Sequence, residues 1–374
     1  MALTGCQTAA LERPTYDDEE VLASGLQLEI ARAARVTANQ ERIYSIGWPI
    51  LHSSVPFCGE EWTIASTGMF LHSLDGYASD DHDVMSEGFG LTHRPSIRFT
   101  VRNGPAARAG LLPGDGIVDY DGFSVDEDTG AINRLNTHIS ERYGDSVGAA
   151  PDVRQIAIIR DGEQMTFEVE AQPVCDYSVS AVTDGEINAY ATGVDITFYT
   201  GIMNVLNDEQ LAVIFAHELA HNVMAHIEKD ALNRAPAMAA GFALDLLVAL
   251  AGVNTQGAFT RMAGNAATLA FSQDFESEAD VVGMYMLARA GLDYRNAHEL
   301  WQEMSAETGG SVYAGRSHPP TSERYLTLQA VADDIDALIA EGEEIWPPFP
   351  EDWAPKPRPD PSATPEPPTS TGDR

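Results

Sequence analysis

The chain has 374 residues, too many for one small core and about what two or three domains need. Acidic residues outnumber basic ones by 57 to 22, a formal charge of −35 that excludes the basic footprint nucleic acid or an anionic membrane surface requires. Apolar residues make up 44% of the chain and the acids are scattered, so the composition points to folded domains with a strongly solvated surface.

Residues 1–16 form a short leader and linker in which Leu3-Thr4-Gly5-Cys6 has the form of a bacterial lipobox. Such a box needs a charged start and an apolar stretch before it, and the reading expects these upstream of Met1. Lipidation of Cys6 would leave Cys58 and Cys175 as an even pair, which an oxidising periplasm could join. Residues 17–87 open with a helical pattern, Val21, Leu22, Leu26, Leu28, Ile30 and Ala33 among polar positions, and are expected to pack on the domain that begins near residue 174. No apolar run reaches membrane-spanning length; the nearest, Pro236 to Gly252, carries Asp245 and reads as a buried or lid-like helix.

From Gly88 to Pro173 the pattern is β-rich. Ile97, Phe99 and Val101 alternate with Arg98, Thr100 and Arg102, Asn103-Gly104 makes a turn, and Ile156–Arg160 and Met165–Val169 flank the hairpin signal Asp161-Gly162. Gly104-Pro-Ala-Ala-Arg-Ala-Gly-Leu-Leu-Pro-Gly-Asp115, the Asp121-Gly122 turn and the Arg160-Asp161-Gly162-Glu163 hairpin resemble a PDZ domain of the bacterial protease type. That resemblance implies a loop at Gly88, Phe89, Gly90 and Leu91 whose backbone N–H groups capture a peptide C-terminal carboxylate, beside a strand edge that a peptide can extend.

The strongest chemical signal is His217-Glu218-Leu219-Ala220-His221. Asn207 and Gln210 can form a capping box that opens its helix, and four-residue spacing places both imidazoles on one face, where they can grip one zinc ion. Glu218 is then placed to act as general base. Glu276-Ser-Glu-Ala-Asp280 starts a second helix: Glu276 completes a two-His, one-Glu set, and Asp280, one turn on, can accept from the free ring nitrogen of a ligand His. Glu278 points away by helical geometry and is rejected as a ligand.

With Asn188-Ala189-Tyr190-Ala191 before them and Ser317-His318-Pro319-Pro320 and Arg324 after them, these residues resemble the gluzincin family of HtpX-type, CAAX prenyl and periplasmic BepA-like proteases. The resemblance implies a zinc endopeptidase with one Zn2+ per chain, a strand near Asp195 to Thr200 as the active-site edge, and an active-site role for His318, against the zinc or the oxyanion. The expected fold class is α+β: a zincin-like, mostly helical metallopeptidase domain over 174–345 with a small edge-strand sheet, a PDZ-like domain over 88–173, and a disordered Pro-rich tail over 346–374. The absence of membrane helices favours the periplasmic, lipid-anchored branch, with unfolded polypeptides and peptide C-termini as partners and no nucleic acid. A zinc-gated chaperone or scaffold that binds without cutting is the alternative. His52, His72, His82, His93, His138, His226 and His298 have no partner motif and read as surface or satisfied core residues.

Overall fold

The computed structural model describes residues 14–144, 152–233, 243–244, 273–300 and 322–358. Cys6, His318 and the Pro236–Gly252 segment, apart from 243–244, lie outside them. Helix α1 (Asp18–Ser53) begins with a capping box: Asp17 accepts from the Glu20 N–H at 2.8 Å, and Glu20 accepts from the Asp17 N–H at 3.1 Å. Its second half, from Ile43 to Leu51, is buried in the main core, whereas Val21, Leu22 and Leu28 in the first half stay exposed. The helical segment thus packs on the later domain through half its length.

A short helix, α2 (Val55–Cys58), leads into a seven-stranded sheet. Its elements are β1 (Thr63–Ser66), β2 (Met69–His72), α3 (His82–Phe89), β3 (Ser96–Thr100), α4 (Pro105–Ala109), β4 (Gly116–Tyr120), β5 (Phe123–Ser124), α5 (Ala131–Tyr143), β6 (Asp152–Arg160) and β7 (Glu163–Cys175). The order is β1-β7-β6-β4-β3-β2 with β5 beside β4, and all pairs are antiparallel. Ile97, Leu111, Ile117, Leu135, Ile156 and Ile158 form its core. Arg160 pairs with Glu163 across Asp161 and Gly162, whose φ angles of 52° and 82° match the twist of a two-residue hairpin. Because β1 and β2 belong to this sheet, the β-rich unit starts near Thr63 rather than Gly88.

Gly88 to Leu91 do not form an open loop. Gly88 and Phe89 end α3, Gly90 caps it in the left-handed conformation, and the N–H groups of Gly90 and Leu91 are consumed by Ser86 O at 3.0 Å and Met85 O at 3.2 Å. Leu91 is buried. Helix closure uses the donors that a carboxylate would need.

The chain then builds a three-stranded sheet from β8 (Ser178–Val182), β9 (Ala189–Ala191) and β10 (Asp195–Tyr199), in the order β8-β10-β9. The segment expected as the active-site edge, β10, is the central strand, parallel to β8 and antiparallel to β9. The helices are α6 (Thr200–Val205), α7 (Asp208–Val223), a stretch over 226–233, α8 (Gln273–Arg289) and α9 (Ser322–Glu341). This part is mostly helical with a small sheet. Among the described residues no helix is long and apolar enough to cross a membrane.

A disulfide joins Cys58 and Cys175, 117 positions apart, at the neck of the seven-stranded unit. Residues 346–358, expected to be disordered, lie against the body. Phe349 stacks on Trp353 at 3.9 Å between ring centres, and Trp346 lies 4.8 Å from Phe57. Lys356 Nζ donates to Gly193 O at 2.6 Å and pairs with Glu228 at 3.0 Å, while Arg358 pairs with Asp176. Proline-rich chain already has restricted backbone freedom, so a few aromatic anchors suffice to order it without helical or strand periodicity.

Candidate metal centre

Helix α7 starts as its sequence predicts: Gln210 N–H donates to Asn207 Oδ1 at 2.9 Å and Asn207 N–H to Gln210 Oε1 at 3.0 Å. The helix is buried from Leu211 to Val223 apart from Val213, so its polar residues face other protein. Helix α8 packs on it closely because Gly283 has no side chain; a Cβ there would sit 3.2 Å from the backbone of Ala216 and His217. That approach brings the first turn of α8, with Glu276 and Asp280, over the two α7 histidines.

His217, His221 and Glu276 converge with their ligand atoms. His217 Nε2 and His221 Nε2 are 3.1 Å apart; Glu276 Oε2 lies 3.5 Å from the first and Oε1 3.4 Å from the second. Three donors held tetrahedrally at zinc bond lengths of about 2.0–2.1 Å sit about 3.3 Å from one another. The triangle therefore fits zinc in both donor chemistry and size. All three residues are at most 4% exposed, and Glu218 beside His217 is 1% exposed.

A network of buried polar groups surrounds the triangle. Asp280 Oδ1 is 3.1 Å from His217 Nδ1. Arg324 from α9 grips Asp280 with two bonds, Nε to Oδ2 at 2.7 Å and Nη2 to Oδ1 at 2.8 Å, and reaches Glu276 Oε2 at 2.9 Å. Burial would push the Asp280 carboxyl up, but the Arg324 bonds and charge outweigh it and hold it below the ordinary aspartate range. Burial would likewise push the His217 imidazole down; its hydrogen bonds to Asp280 and Glu276 reverse this and raise it to about 9, so proton and metal compete for this ligand.

Sequence reasoning missed two residues here. Asn222, fully buried on α7, accepts from the Gly193 N–H at 2.7 Å and donates to Asp195 O at 3.1 Å, tying the β9–β10 turn to the metal helix. His226 was read as having no partner. It is fully buried, its Nδ1 lies 2.9 Å from His221 Nδ1, and its Nε2 lies 2.8 Å from Glu278 Oε2. In an unbroken helix a residue five positions on lies about 140° round the axis. Here α7 stops at Val223, Ala225 takes a left-handed φ of 55°, and the restarted helix returns His226 toward His221. Glu278, rejected as a ligand, holds His226 instead.

Residues 154–332 match peptidase family M48. That stretch, a little under half of the chain, is its M48-like part. Among curated relatives of the M48 domain, Metalloprotease YcaL of Escherichia coli (strain K12) is 26% identical over 176 residues, 47% of this chain and 66% of that protein. Mitochondrial metalloendopeptidase OMA1 of Schizosaccharomyces pombe is 30% identical over 156 residues, 40% of this chain and 44% of that one. The Beta-barrel assembly-enhancing protease of Escherichia coli (strain K12) is 30% identical over 179 residues, 44% of this chain and 36% of the other. The chain thus spans less than two thirds of these relatives. A solved HtrA-type protease, AlgW with decapeptide, is 22% identical over 30% of each chain with a TM-score of 0.22. His217, His221 and Glu276 are the one group among the described residues that could hold a metal ion, and they lie inside the M48-like stretch, consistent with a zinc-dependent metalloendopeptidase site.

Proposed function

We propose that the chain is a zinc endopeptidase that hydrolyses unfolded or damaged envelope proteins, with its seven-stranded unit acting as a PDZ-like recognition module. The donor triangle, sized for zinc and buried beside Glu218, carries this reading. When bound there, zinc supplies Lewis acidity, polarising a scissile carbonyl and making water a stronger nucleophile. Glu218 takes the proton from the attacking water and hands it to the leaving amine. Asp280 keeps the His217 Nδ1 proton in place, and Arg324 keeps Asp280 ionised. An extended substrate pairs with β9, the terminal strand of the small sheet, whose turn Asn222 anchors to α7.

Recognition of peptide C-termini is supported by the terminal position of β2, which can accept an added strand, rather than by the closed Gly88–Leu91 segment. The Cys58–Cys175 bond suits an oxidising compartment, and with the lipobox-like Cys6 it favours a lipid-anchored protein of the bacterial periplasm. The test is cleavage of reduced, unfolded casein by the purified chain. Cleavage that a chelator abolishes and zinc restores supports an endopeptidase; zinc-loaded protein that holds unfolded casein without cutting it refutes one.

A further inference from the structure

We infer that His226 is a positioning residue that, backed by Glu278, fixes the ring orientation and tautomer of the zinc ligand His221. The inference rests on the metal site proposed above and extends it to a second imidazole that the H-E-x-x-H pattern does not contain.

The argument is one of counting protons. The ionised Glu278 carboxylate only accepts, so the His226 nitrogen 2.8 Å from it, Nε2, carries the hydrogen. A neutral imidazole has one N–H, which leaves His226 Nδ1 as a bare acceptor. Across the 2.9 Å contact the hydrogen must then lie on His221 Nδ1. That leaves His221 Nε2 unprotonated and facing His217 Nε2 and Glu276, the form in which an imidazole binds a metal.

Asp280 does the same for His217 directly, at 3.1 Å. The two ligands thus receive the same instruction by different routes: one carboxylate in contact, the other through an intervening ring. His226 is held for this task. It is fully buried, Phe275 stacks on it at 4.6 Å with an interplanar angle of 11°, and the left-handed turn at Ala225 aims it back at α7. An alanine in the left-handed region is strained, and placement of this ring explains the strain.

The test measures zinc affinity of metal-free protein by competition with a chromophoric chelator, alongside thermal unfolding of the same metal-free samples. His226→Leu fills the space without either hydrogen bond and should bind zinc about 10–100-fold more weakly. His226→Gln restores both, its amide oxygen accepting from His221 and its NH2 donating to Glu278, and should stay within about threefold of wild type. Glu278→Gln keeps an acceptor but not the charge, and should fall between them. A purely structural His226 would lower the unfolding temperature of metal-free His226→Leu and leave zinc affinity unchanged. Equal zinc affinity in wild type and His226→Leu overturns the inference, as does failure of His226→Gln to recover it. If His226→Leu does not fold, unchanged affinity in Glu278→Gln overturns it. Wild-type protein that takes up no zinc refutes the metal site itself, whereas tight wild-type binding matched by every variant refutes only the role of His226.

Discussion

Arg324 lies 1% exposed between two buried carboxylates, making two bonds to Asp280 and one to Glu276. Replacing it with methionine keeps much of its stem volume and removes the charge. Two carboxylates, Glu276 at 2% and Asp280 at 4% exposure, then lose the guanidinium and keep only the His217 imidazole, 3.5 Å and 3.1 Å away, as a positive neighbour. Breaking a buried pair by removing one partner costs about 3–5 kcal/mol, and here one cation serves two anions, so the loss belongs at the upper end of that range. Against a total stability of about 5–15 kcal/mol this is a large fraction. The assay is urea unfolding followed by far-UV circular dichroism, with and without a chelator. R324M should lose about 4–5 kcal/mol in metal-free protein and less when zinc is bound, because the ion then offsets the Glu276 charge. R324K should fall between, keeping charge but not the planar fork. R324M within about 1 kcal/mol of wild type in metal-free protein would refute the reasoning, since the carboxylates would then not depend on Arg324.

Other consequences concern parts of the fold away from the zinc ligands. Replacing Cys58 and Cys175 with alanine opens a loop of 117 positions, for which loop closure gives about 5 kcal/mol as an upper figure; a loss of about 2–5 kcal/mol in unfolding free energy from denaturant titration is expected, and one below about 1 kcal/mol would contradict it. Burial, aided by Arg98, holds His72 down to about 4, below its ordinary 6.5. Its folded pKa is depressed, so protonation favours the unfolded chain: stability is complete above about 6.5 and declines as pH falls toward about 4, by at most about 3 kcal/mol. H72Q should flatten the thermal-stability profile in that window, and an unchanged profile would argue against the shift. Zinc titrations of His226→Leu and His226→Gln complete the set.

The metal centre was readable where it depends on local spacing. Four residues on one helix place His217 and His221 together whatever surrounds them, and the Asn207–Gln210 box fixes where that helix starts. Glu276 was readable because an acidic residue at the start of a second helix supplies the missing donor type. His226 was not, because its position depends on a left-handed alanine that helix periodicity gives no reason to expect. The roles of Asn222 and Arg324 depend on tertiary approach, the first to the β9–β10 turn and the second across α8 and α9. In the β-rich unit the alternation of Ile97, Phe99 and Val101 marked a strand correctly, but β1 and β2 are four residues each and carry too short a pattern to be assigned to the same sheet. Gly88-Phe89-Gly90 read as a loop because glycines are frequent in loops; here Gly90 is the left-handed stop of a helix. The Pro-rich strap escaped for the opposite reason, since its order comes from aromatic anchors rather than periodicity.

The central claim is that Glu218 performs proton transfer at a zinc site built by His217, His221 and Glu276. Its most direct test is the cleavage rate of an unfolded, fluorescence-quenched polypeptide by zinc-loaded wild type and E218Q, with metal content measured on the same samples. The account predicts equal zinc content and a rate lower by about 10²–10⁴-fold in E218Q. Equal rates at equal zinc content would contradict it.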